Sequence, residues 1–218
     1  MRAIFIDRDG VINKDPGGWT KHNYVTELKD LHFLPGSLKA LKLLKDNGIR
    51  VIIVSNQGGV SKGYFSKERL EEVNALMLEK IRASGGDIEE VCCCIHRDED
   101  NCECRKPKTG MLEKAIDKHS IKPRDTFIIG DSYVDIHAGS RMGIKTVFVL
   151  SGKMTLEELK KHDARPDYVF KDLLEAVSWI LEKEKRKSDR AARRRSEGKR
   201  VDSGEEDTDS IRDGGDRA

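Results

Sequence analysis

Residues 3–10 have the sequence AIFIDRDG, in which an apolar run leads directly into Asp7 and Asp9. A short run that is apolar at every position is typical of a strand in a parallel sheet whose two faces are both covered. In open α/β sheets, ligands bind at the carboxyl ends of the strands, so acidic residues in this position are candidates for a functional site. The stretch therefore predicts a buried parallel strand that ends in a polar site.

The same alternation of short apolar runs and amphipathic segments continues along the chain. Five more strands are predicted, at residues 50–54, 91–95, 126–129, 145–150 and 167–170. Six helices are predicted between and after them, at 36–47, 66–82, 110–118, 135–142, 155–161 and 173–185. Strands that alternate with helices predict an α/β fold with a Rossmann-like, mainly parallel sheet flanked by helices.

The composition fits one globular domain and argues against several classes of protein. The chain has 218 residues, enough for a self-sufficient core, and its 41 basic and 39 acidic residues nearly cancel. A net charge of +2 gives no overall field that would attract nucleic acid or an anionic membrane. The apolar run near the N-terminus is too short for a signal peptide or a membrane span. We therefore expect a cytoplasmic protein.

The composition changes after about Glu184, so residues 1–184 are predicted to form the domain and residues 185–218 a separate tail. The tail begins with basic clusters, continues with an acidic stretch and has hardly any apolar residues. Such a segment buries too little surface to offset its ordering entropy, and we expect it to be disordered. A basic tail can bind nucleic acid, but the neighbouring acidic stretch favours a solvated, self-compensating segment.

Polar residues follow three of the predicted strands. They are Asp7 and Asp9 after the first strand, residues 55–57 after the second, and Asp131 after the fourth. A single Asp-x-Asp pair is usually an exposed turn, but three clusters at strand ends favour one shared site. We expect the carboxylates of positions 7, 9 and 131 to meet around one Mg²⁺ ion, because an oxygen-rich site suits this cation.

All five cysteines lie between Cys92 and Cys104. An odd number in so short a stretch is a poor disulfide framework and favours a reducing compartment with a metal site. Two close pairs, Cys94 with His96 and Cys102 with Cys104, offer the four ligands of a closed tetrahedral Zn²⁺ site, which we interpret as structural. Free thiols with a surface histidine are the alternative. Cys92 lies on the same face of its strand as Cys94 and could replace it as a ligand.

Four motifs together resemble those of the haloacid dehalogenase-like phosphatases. Residues 5–13 (FIDRDGVIN) resemble the first motif, residues 55–58 (SNQG) the second, Lys106 the third and residues 130–135 the fourth. The resemblance runs from about residue 4 to about residue 170. It implies the haloacid dehalogenase-like version of the Rossmann-like fold and a phosphatase whose nucleophile is an aspartate.

The resemblance also implies roles for the acidic residues. Asp7 would attack phosphorus and form an aspartyl-phosphate intermediate. Asp9 would protonate the leaving oxygen and later deprotonate the hydrolytic water. The metal ligands would be Asp7, Asp131 and the backbone carbonyl of Asp9, while Asp135 would orient this cluster without binding the metal directly.

The loop that contains Cys-x-His and Cys-x-Cys-Arg-Lys-Pro resembles in particular the D-glycero-D-manno-heptose 1,7-bisphosphate 7-phosphatases and the related histidinol-phosphate phosphatases. This resemblance implies a domain without a separate cap, whose pocket is shaped by the zinc loop and by residues 15–18. Arg105 would grip a second phosphate with its guanidinium fork. The phosphate- and substrate-binding residues expected on these grounds are Asp15, Gly18, Ser55, Asn56, Gln57, Gly58, Arg105 and Lys106, with Ser55 and Lys106 on the transferred phosphoryl group.

The resemblance therefore implies a Mg²⁺-dependent phosphomonoester hydrolase that removes the 7-phosphate of the heptose bisphosphate. Histidinol-phosphate phosphatase and polynucleotide 3′-phosphatase are enzymatic alternatives. A phosphoaspartate signalling module and a zinc-dependent nucleic-acid-binding protein acting through the basic tail are the alternatives that are not enzymes. Asp9 favours an enzyme, because an acid/base two residues from the nucleophile promotes turnover. The expected partner is a small phosphorylated metabolite, a sugar bisphosphate, bound by a monomer without membrane or nucleic acid.

Overall fold

The computed structural model describes residues 3–202, and their side chains as far as residue 191. The chain divides into two compact units, Met1–Leu181 and Glu182–Ala218. The first unit contains the whole sheet. The disorder expected of residues 185–218 stays a prediction, and residues 203–218 lie outside the described part of the chain.

One parallel sheet forms the centre of the first unit. Its strands are β1 (Ala3–Ile6), β2 (Arg50–Asn56), β3 (Glu90–Cys94), β4 (Phe127–Gly130), β5 (Lys145–Val149) and β6 (Tyr168–Phe170). Their order is β3-β2-β1-β4-β5-β6, and every neighbouring pair is parallel. The predicted α/β class is confirmed, and β1 lies between β2 and β4, which are both followed by predicted site residues.

Helices connect the strands. They are α1 (Ser37–Asp46), α2 (Lys67–Ala83), α3 (Gly110–His119), α4 (Tyr133–Arg141), α5 (Leu156–Lys161) and α6 (Leu173–Asp202), with short 3-10 helices at Leu28–Asp30, Asp98–Asp100 and Pro123–Asp125. The predicted helix ends differ from the observed ones by at most two residues except in α6, which continues past residue 185. That part of α6 is rich in Lys, Arg, Glu and Ala, which favour a helix, and Lys187 and Arg186 pair with acidic residues three and four positions earlier.

The core lies on both sides of the sheet. Along β1, Ile4 and Ile6 pack into one cluster, whereas Phe5 packs into a second cluster on the other face. The first cluster includes buried residues of α1, α2 and α6, and the second includes residues of α3 and α4. This arrangement explains why β1 is apolar at every position, since both faces of the sheet are covered.

Two long connections, residues 7–36 and 95–109, follow the carboxyl ends of β1 and β3. Each contains only a short 3-10 helix, so within the described residues no cap domain is inserted into the sheet. Among the described helices, none combines the length and the apolar character needed to cross a membrane.

Candidate active site

A cavity of about 540 Å³ opens above the carboxyl ends of the central strands. Asp7 and Asp9 from the end of β1, and Asp131 from the end of β4, are among its lining residues. The backbone amide of Asp7 donates a hydrogen bond to the carbonyl of Ile129 (2.9 Å), which holds the ends of the two strands side by side. The strand order therefore brings together acidic residues that are far apart in the sequence.

Three carboxylates meet at the base of this cavity. Asp7, Asp131 and Asp135 each offer an oxygen, and these oxygens lie within 4.8 Å of one another. The ammonium of Lys106 lies 3.1 Å from Asp7 Oδ1 and 2.6 Å from Asp135 Oδ1, and it also donates to the carbonyl of Val54 at 2.6 Å. Because the Lys106 ammonium pairs with only two of the three carboxylates, the cluster has an excess of negative charge.

The pKa values of the cluster reflect this excess. Burial raises the pKa of Asp7 to about 7, against the lowering effect of the Lys106 ammonium. Burial, together with repulsion from Asp7 and Asp135, also holds the pKa of Asp131 well above its usual value. Burial alone would lower the pKa of Lys106, but the two neighbouring carboxylates hold it above the ordinary lysine value. Asp7 and Asp131 therefore bind protons more readily than ordinary carboxylates unless a cation compensates their charge.

The cluster fits a hard divalent cation such as Mg²⁺. Its donors are all carboxylate oxygens, and Asp135 Oδ2 is buried with no hydrogen-bond partner among the described residues. Glycines leave room for Asp131, because a Cβ atom built at Gly10 or at Gly152 would collide with its carboxylate. Gly10 also has a left-handed backbone (φ +81°), which glycine adopts without strain.

The carboxylate of Asp9 faces a different set of partners. It accepts hydrogen bonds from Arg8 Nε (3.2 Å) and Nη2 (3.0 Å), from Asn13 Nδ2 (2.8 Å) and from Gln57 Nε2 (2.8 Å). Burial would raise the pKa of Asp9, but the Arg8 guanidinium and these donors hold it below its usual value. Thus the side chains of positions 7 and 131 meet as expected, whereas the third carboxylate of the cluster belongs to Asp135 and not to Asp9.

The residues of the second motif lie at different depths. Ser55 is fully buried and its hydroxyl accepts a hydrogen bond from Gln57 Nε2 (2.9 Å). Asn56 lines the cavity, and its amide group exchanges two hydrogen bonds with the backbone of Lys106 (2.9 and 3.0 Å). Gly58 packs against the carbonyl of His96, which a Cβ atom would approach to 2.9 Å. The second motif therefore holds Lys106 and Asp9 in position by hydrogen bonds, between Asn56 and the backbone of Lys106 and from Gln57 to Asp9.

The outer wall of the cavity carries several charges. Arg105 is paired with Asp98, and Lys62 lies on the same wall with its ammonium 5.9 Å from the centre of the Tyr24 ring. Lys153 and Asp15 also line the cavity, and their charged atoms lie 4.0 Å apart. Asp15 and Arg105 were predicted from the sequence, but Lys62 and Lys153 were not, because a lysine in a loop carries no signal of its own.

Gly18, which was also expected to bind substrate, is not among the residues that line the cavity. It has a left-handed backbone (φ +81°), and its amide donates to Asn23 Oδ1 (3.0 Å). The amide of Gly17 donates to Asp15 Oδ1 (2.7 Å) in the same loop. The loop of residues 15–18 thus turns tightly and directs Asp15 toward the cavity, which it lines.

A second group of metal-ligand types lies beside the active site. Cys94, His96, Cys102 and Cys104 place their ligand atoms within 4.8 Å of one another, and the Sγ atom of Cys104 lies 3.1 Å from that of Cys94 and 3.2 Å from His96 Nδ1. This spacing and donor set fit tetrahedral Zn²⁺. Cys92, which the sequence could not separate from Cys94, is not part of this group.

Comparisons with known proteins agree with this geometry. A family profile described as HAD-hydrolase-like matches residues 103–176. A D-glycero-beta-D-manno-heptose-1,7-bisphosphate 7-phosphatase from Neisseria meningitidis serogroup A is 35% identical over 184 residues, which cover 84% of this chain and 96% of the relative. A D-glycero-alpha-D-manno-heptose-1,7-bisphosphate 7-phosphatase from Photorhabdus laumondii is 33% identical over 157 residues, 69% of this chain and 82% of the relative.

A solved structure is also similar. The crystal structure of a D,D-heptose 1,7-bisphosphate phosphatase from B. bronchiseptica, in complex with magnesium and phosphate, matches with a TM-score of 0.76 and 27% identity. The match covers 84% of this chain and 99% of that one.

Proposed function

The chain belongs to the haloacid dehalogenase-like phosphatases, and from this premise we propose that it removes the 7-phosphate of D-glycero-D-manno-heptose 1,7-bisphosphate. The observation that carries the proposal is the position of Asp7, which lies at the base of the cavity between Lys106 and Asp131. An oxygen of Asp7 can there approach a phosphate that enters from the cavity. The names of the similar proteins support the choice of substrate.

In the proposed reaction, an oxygen of Asp7 attacks phosphorus while the bond to the sugar oxygen breaks, and Asp9 gives its proton to that oxygen. Asp9 then takes a proton from a water molecule that attacks the aspartyl-phosphate, which releases phosphate and restores Asp7. The N–H groups of Lys106 stabilise the charge on the transferred phosphoryl oxygens. When bound to Asp7, Asp131 and the carbonyl of Asp9, Mg²⁺ would neutralise part of the phosphate charge.

Asp9 must carry a proton before it can act as an acid, although its pKa in the free protein is lowered. An incoming phosphate brings negative charge close to Asp9 and thereby raises the pKa of that carboxyl. The substrate itself therefore prepares the acid. Asp135, to which the resemblance assigns an orienting role, forms an ion pair with Lys106 and so holds its ammonium in place.

The outer wall suits a second phosphate. Arg105 and Lys62 provide two cations on one side of the cavity, and an anionic group can displace Asp98 from the Arg105 guanidinium. A volume of about 540 Å³ is of the size usual for small-molecule sites. These features favour a sugar bisphosphate over histidinol phosphate, which has no second phosphate for this wall.

Structural Zn²⁺ bound by Cys94, His96, Cys102 and Cys104 is part of the proposal. The ion would hold the loop of residues 95–109, which carries Arg105 and Lys106 to the cavity. None of the five cysteines forms a disulfide in the structure, in keeping with a reducing compartment, and we place the enzyme in the cytoplasm.

Substitution of the nucleophile tests the chemistry. Asp7→Asn keeps the shape of the side chain and removes its charge, so Mg²⁺-dependent release of phosphate from the heptose bisphosphate should fall by roughly a thousandfold or more. Asp117→Asn, at an exposed position of α3, is the control and should have normal activity. Turnover by Asp7→Asn at a near-normal rate would overturn the proposal.

A substrate panel tests the specificity. It compares the two anomers of the heptose bisphosphate, histidinol phosphate and a 3′-phosphorylated oligonucleotide, each with Mg²⁺. We expect the highest kcat/KM with one of the heptose bisphosphates. A higher kcat/KM with histidinol phosphate or with the oligonucleotide would refute the proposed substrate but would agree with the proposed phosphatase mechanism.

A further inference from the structure

Arg8 is the largest fully buried side chain among the described residues. It lies between the two acidic residues of the first motif in the sequence, and no step of the proposed reaction involves it. A buried guanidinium is costly unless its N–H groups find partners. In Arg8, Nε and Nη2 donate to the two oxygens of Asp9, whereas Nη1 donates to Asn74 Oδ1 at 3.1 Å.

Asn74 reaches Arg8 from the middle of α2. Its neighbours along the same helix, Val73 and Met77, are buried in the core, and Asn74 itself is half-buried. Asparagine is a poor residue for a helix interior, because its amide competes with the helix hydrogen bonds. Its Oδ1 atom nevertheless serves Arg8, and its Nδ2 atom lies 3.6 Å from the Sγ atom of Cys93 on β3.

The three hydrogen bonds of the Arg8 guanidinium fix the orientation of its plane. The pair of hydrogen bonds to Asp9 aligns the carboxylate with the guanidinium, as a planar fork does. The bond from Nη1 to Asn74 stops the guanidinium from rotating, so the orientation of Asp9 depends on a residue that does not line the cavity. Asn13 and Gln57 complete the environment of Asp9 from other directions.

We propose that Arg8 and Asn74 are positioning residues that set the orientation in which Asp9 transfers a proton to the leaving oxygen. This inference rests on the proposed function, since it assumes that Asp9 is the acid. Proton transfer in a transition state needs the donor within hydrogen-bond reach of the reacting oxygen, so a small displacement of Asp9 slows the step. The backbone amide of Arg8 donates to Asp7 Oδ1 (2.7 Å), whereas its side chain acts on the reaction only through Asp9.

The leaving group gives this proposal a specific signature. A sugar oxygen leaves as a strongly basic alkoxide and needs a proton from Asp9, whereas 4-nitrophenolate is weakly basic and leaves without one. The ratio kcat/KM reports the steps up to formation of the aspartyl-phosphate. A displaced Asp9 should therefore lower kcat/KM for the sugar phosphate much more than for 4-nitrophenyl phosphate, whereas a general structural defect lowers both.

The experiment measures kcat/KM for the heptose bisphosphate and for 4-nitrophenyl phosphate in Asn74→Leu, which has a similar volume and no acceptor for Arg8. We expect a decrease of roughly 10- to 100-fold for the sugar phosphate and less than about threefold for the aryl phosphate. Asn74→Asp restores an acceptor oxygen in the same place and should recover most of the activity. Cys93→Ala removes the other partner of Asn74 and should behave like the unchanged protein.

Equal effects of Asn74→Leu on both substrates, or no effect on either, would overturn the proposal. If Asn74→Leu does not fold, as judged by its thermal unfolding, the same comparison is made with Asn74→Ser, whose shorter hydroxyl leaves Nη1 without its acceptor. Failure of the unchanged protein to hydrolyse the heptose bisphosphate is a separate result. It would refute the proposed substrate, and the comparison would then use whichever alkyl phosphate of the panel the protein hydrolyses.

Discussion

At the level of single residues, the ammonium of Lys106 has two carboxylate partners, Asp7 and Asp135, and Asp131 has no ion-pair partner among the described side chains. The charge of the cluster is therefore balanced only when protons or a cation are added. Mg²⁺ would bind the ionised carboxylates, so protons and metal would compete for the same oxygens. Metal binding should for this reason depend on pH.

The pKa of Asp7 determines the direction of that dependence. It is raised from 3.8 to about 7 in the metal-free folded protein, so the stability that this group contributes is present below the unfolded pKa and is lost as the pH rises through the folded one. Because Mg²⁺ displaces the proton, its affinity should increase between about pH 6 and about pH 8. The increase in Tm caused by Mg²⁺ should be larger at the higher pH.

Differential scanning calorimetry at the two pH values, with and without Mg²⁺, measures this difference. Asp7→Asn cannot titrate at this position and should show a weaker dependence. An increase in Tm that is the same at both pH values would contradict the raised pKa.

Gly152 offers a second test at this scale. A Cβ atom at Gly152 would collide with the carboxylate of Asp131, so Gly152→Ala should displace that carboxylate and lower the affinity for Mg²⁺ roughly tenfold. Titration of activity with Mg²⁺ gives the affinity, and kcat should recover largely at saturating metal. Ser140→Ala, at an exposed position of α4, is the control, and an unchanged affinity in Gly152→Ala would contradict the role of Asp131 in binding the metal.

The sequence predicted the acidic residues of the site but not the contact of Arg8 and Asn74 that supports Asp9. Asp7 and Asp131 could be found because each directly follows a buried strand. Arg8 was part of the first motif without a role, since its role depends on Asn74, which lies 66 positions away. No pattern within α2 shows which of its side chains faces the first motif.

At the level of elements, the segment after β3 connects two sites. Cys94 ends the strand, Cys104 is the last of the proposed Zn²⁺ ligands, and Arg105 and Lys106 follow it directly. The position of these two cations should therefore depend on the metal, whose binding energy would serve as local folding energy.

Removal of Zn²⁺ should consequently weaken substrate binding. After treatment with a zinc chelator and return of excess Mg²⁺, KM for the heptose bisphosphate should rise roughly tenfold. Metal content, KM and kcat are measured before and after the treatment. Cys92→Ser is the control, because Cys92 lies outside the ligand group, and this variant should keep its zinc and its KM. An unchanged KM in the zinc-free protein would show that substrate binding does not depend on the zinc loop.

Element ends were predictable where a capping residue marks them. Ser66 accepts a hydrogen bond from the amide of Arg69, and Thr155 accepts one from the amide of Glu158, and the starts of α2 and α5 were predicted to within one residue. No such signal marks the end of α6. The predicted end followed the loss of apolar residues, but the helix continues because its charged side chains favour helix and pair along it.

At the level of the whole molecule, the alternation of strands and helices predicted the fold class but not the position of each strand. The order of the sheet places β1 between β2 and β4, and this order brings Asp7 beside Lys106 and Asp131. Pairing between distant strands is decided by packing over the whole chain. The sequence could therefore predict that the site lies at the carboxyl ends of the strands, but not its internal distances.

All residues of the cavity and of the acidic cluster belong to the unit Met1–Leu181. A chain shortened after residue 183 should therefore keep its kcat/KM within about twofold, because it retains a complete core and site. Kinetics and thermal unfolding of the shortened and full chains measure this. A tenfold loss of activity would mean that the charged segment takes part in function, as in the nucleic-acid-binding alternative.

Gln57 is shared by two parts of the site, since its Nε2 atom donates to both Asp9 and Ser55. The side-chain carbonyl oxygen of Gln57, Oε1, is buried without a hydrogen-bond partner among the described residues. Few other side chains could serve both acceptors from this position. Substitutions at positions 9, 55 and 57 should therefore be coupled during evolution. A lineage that replaces one of these residues is expected to change another, so the three positions should vary together among related sequences.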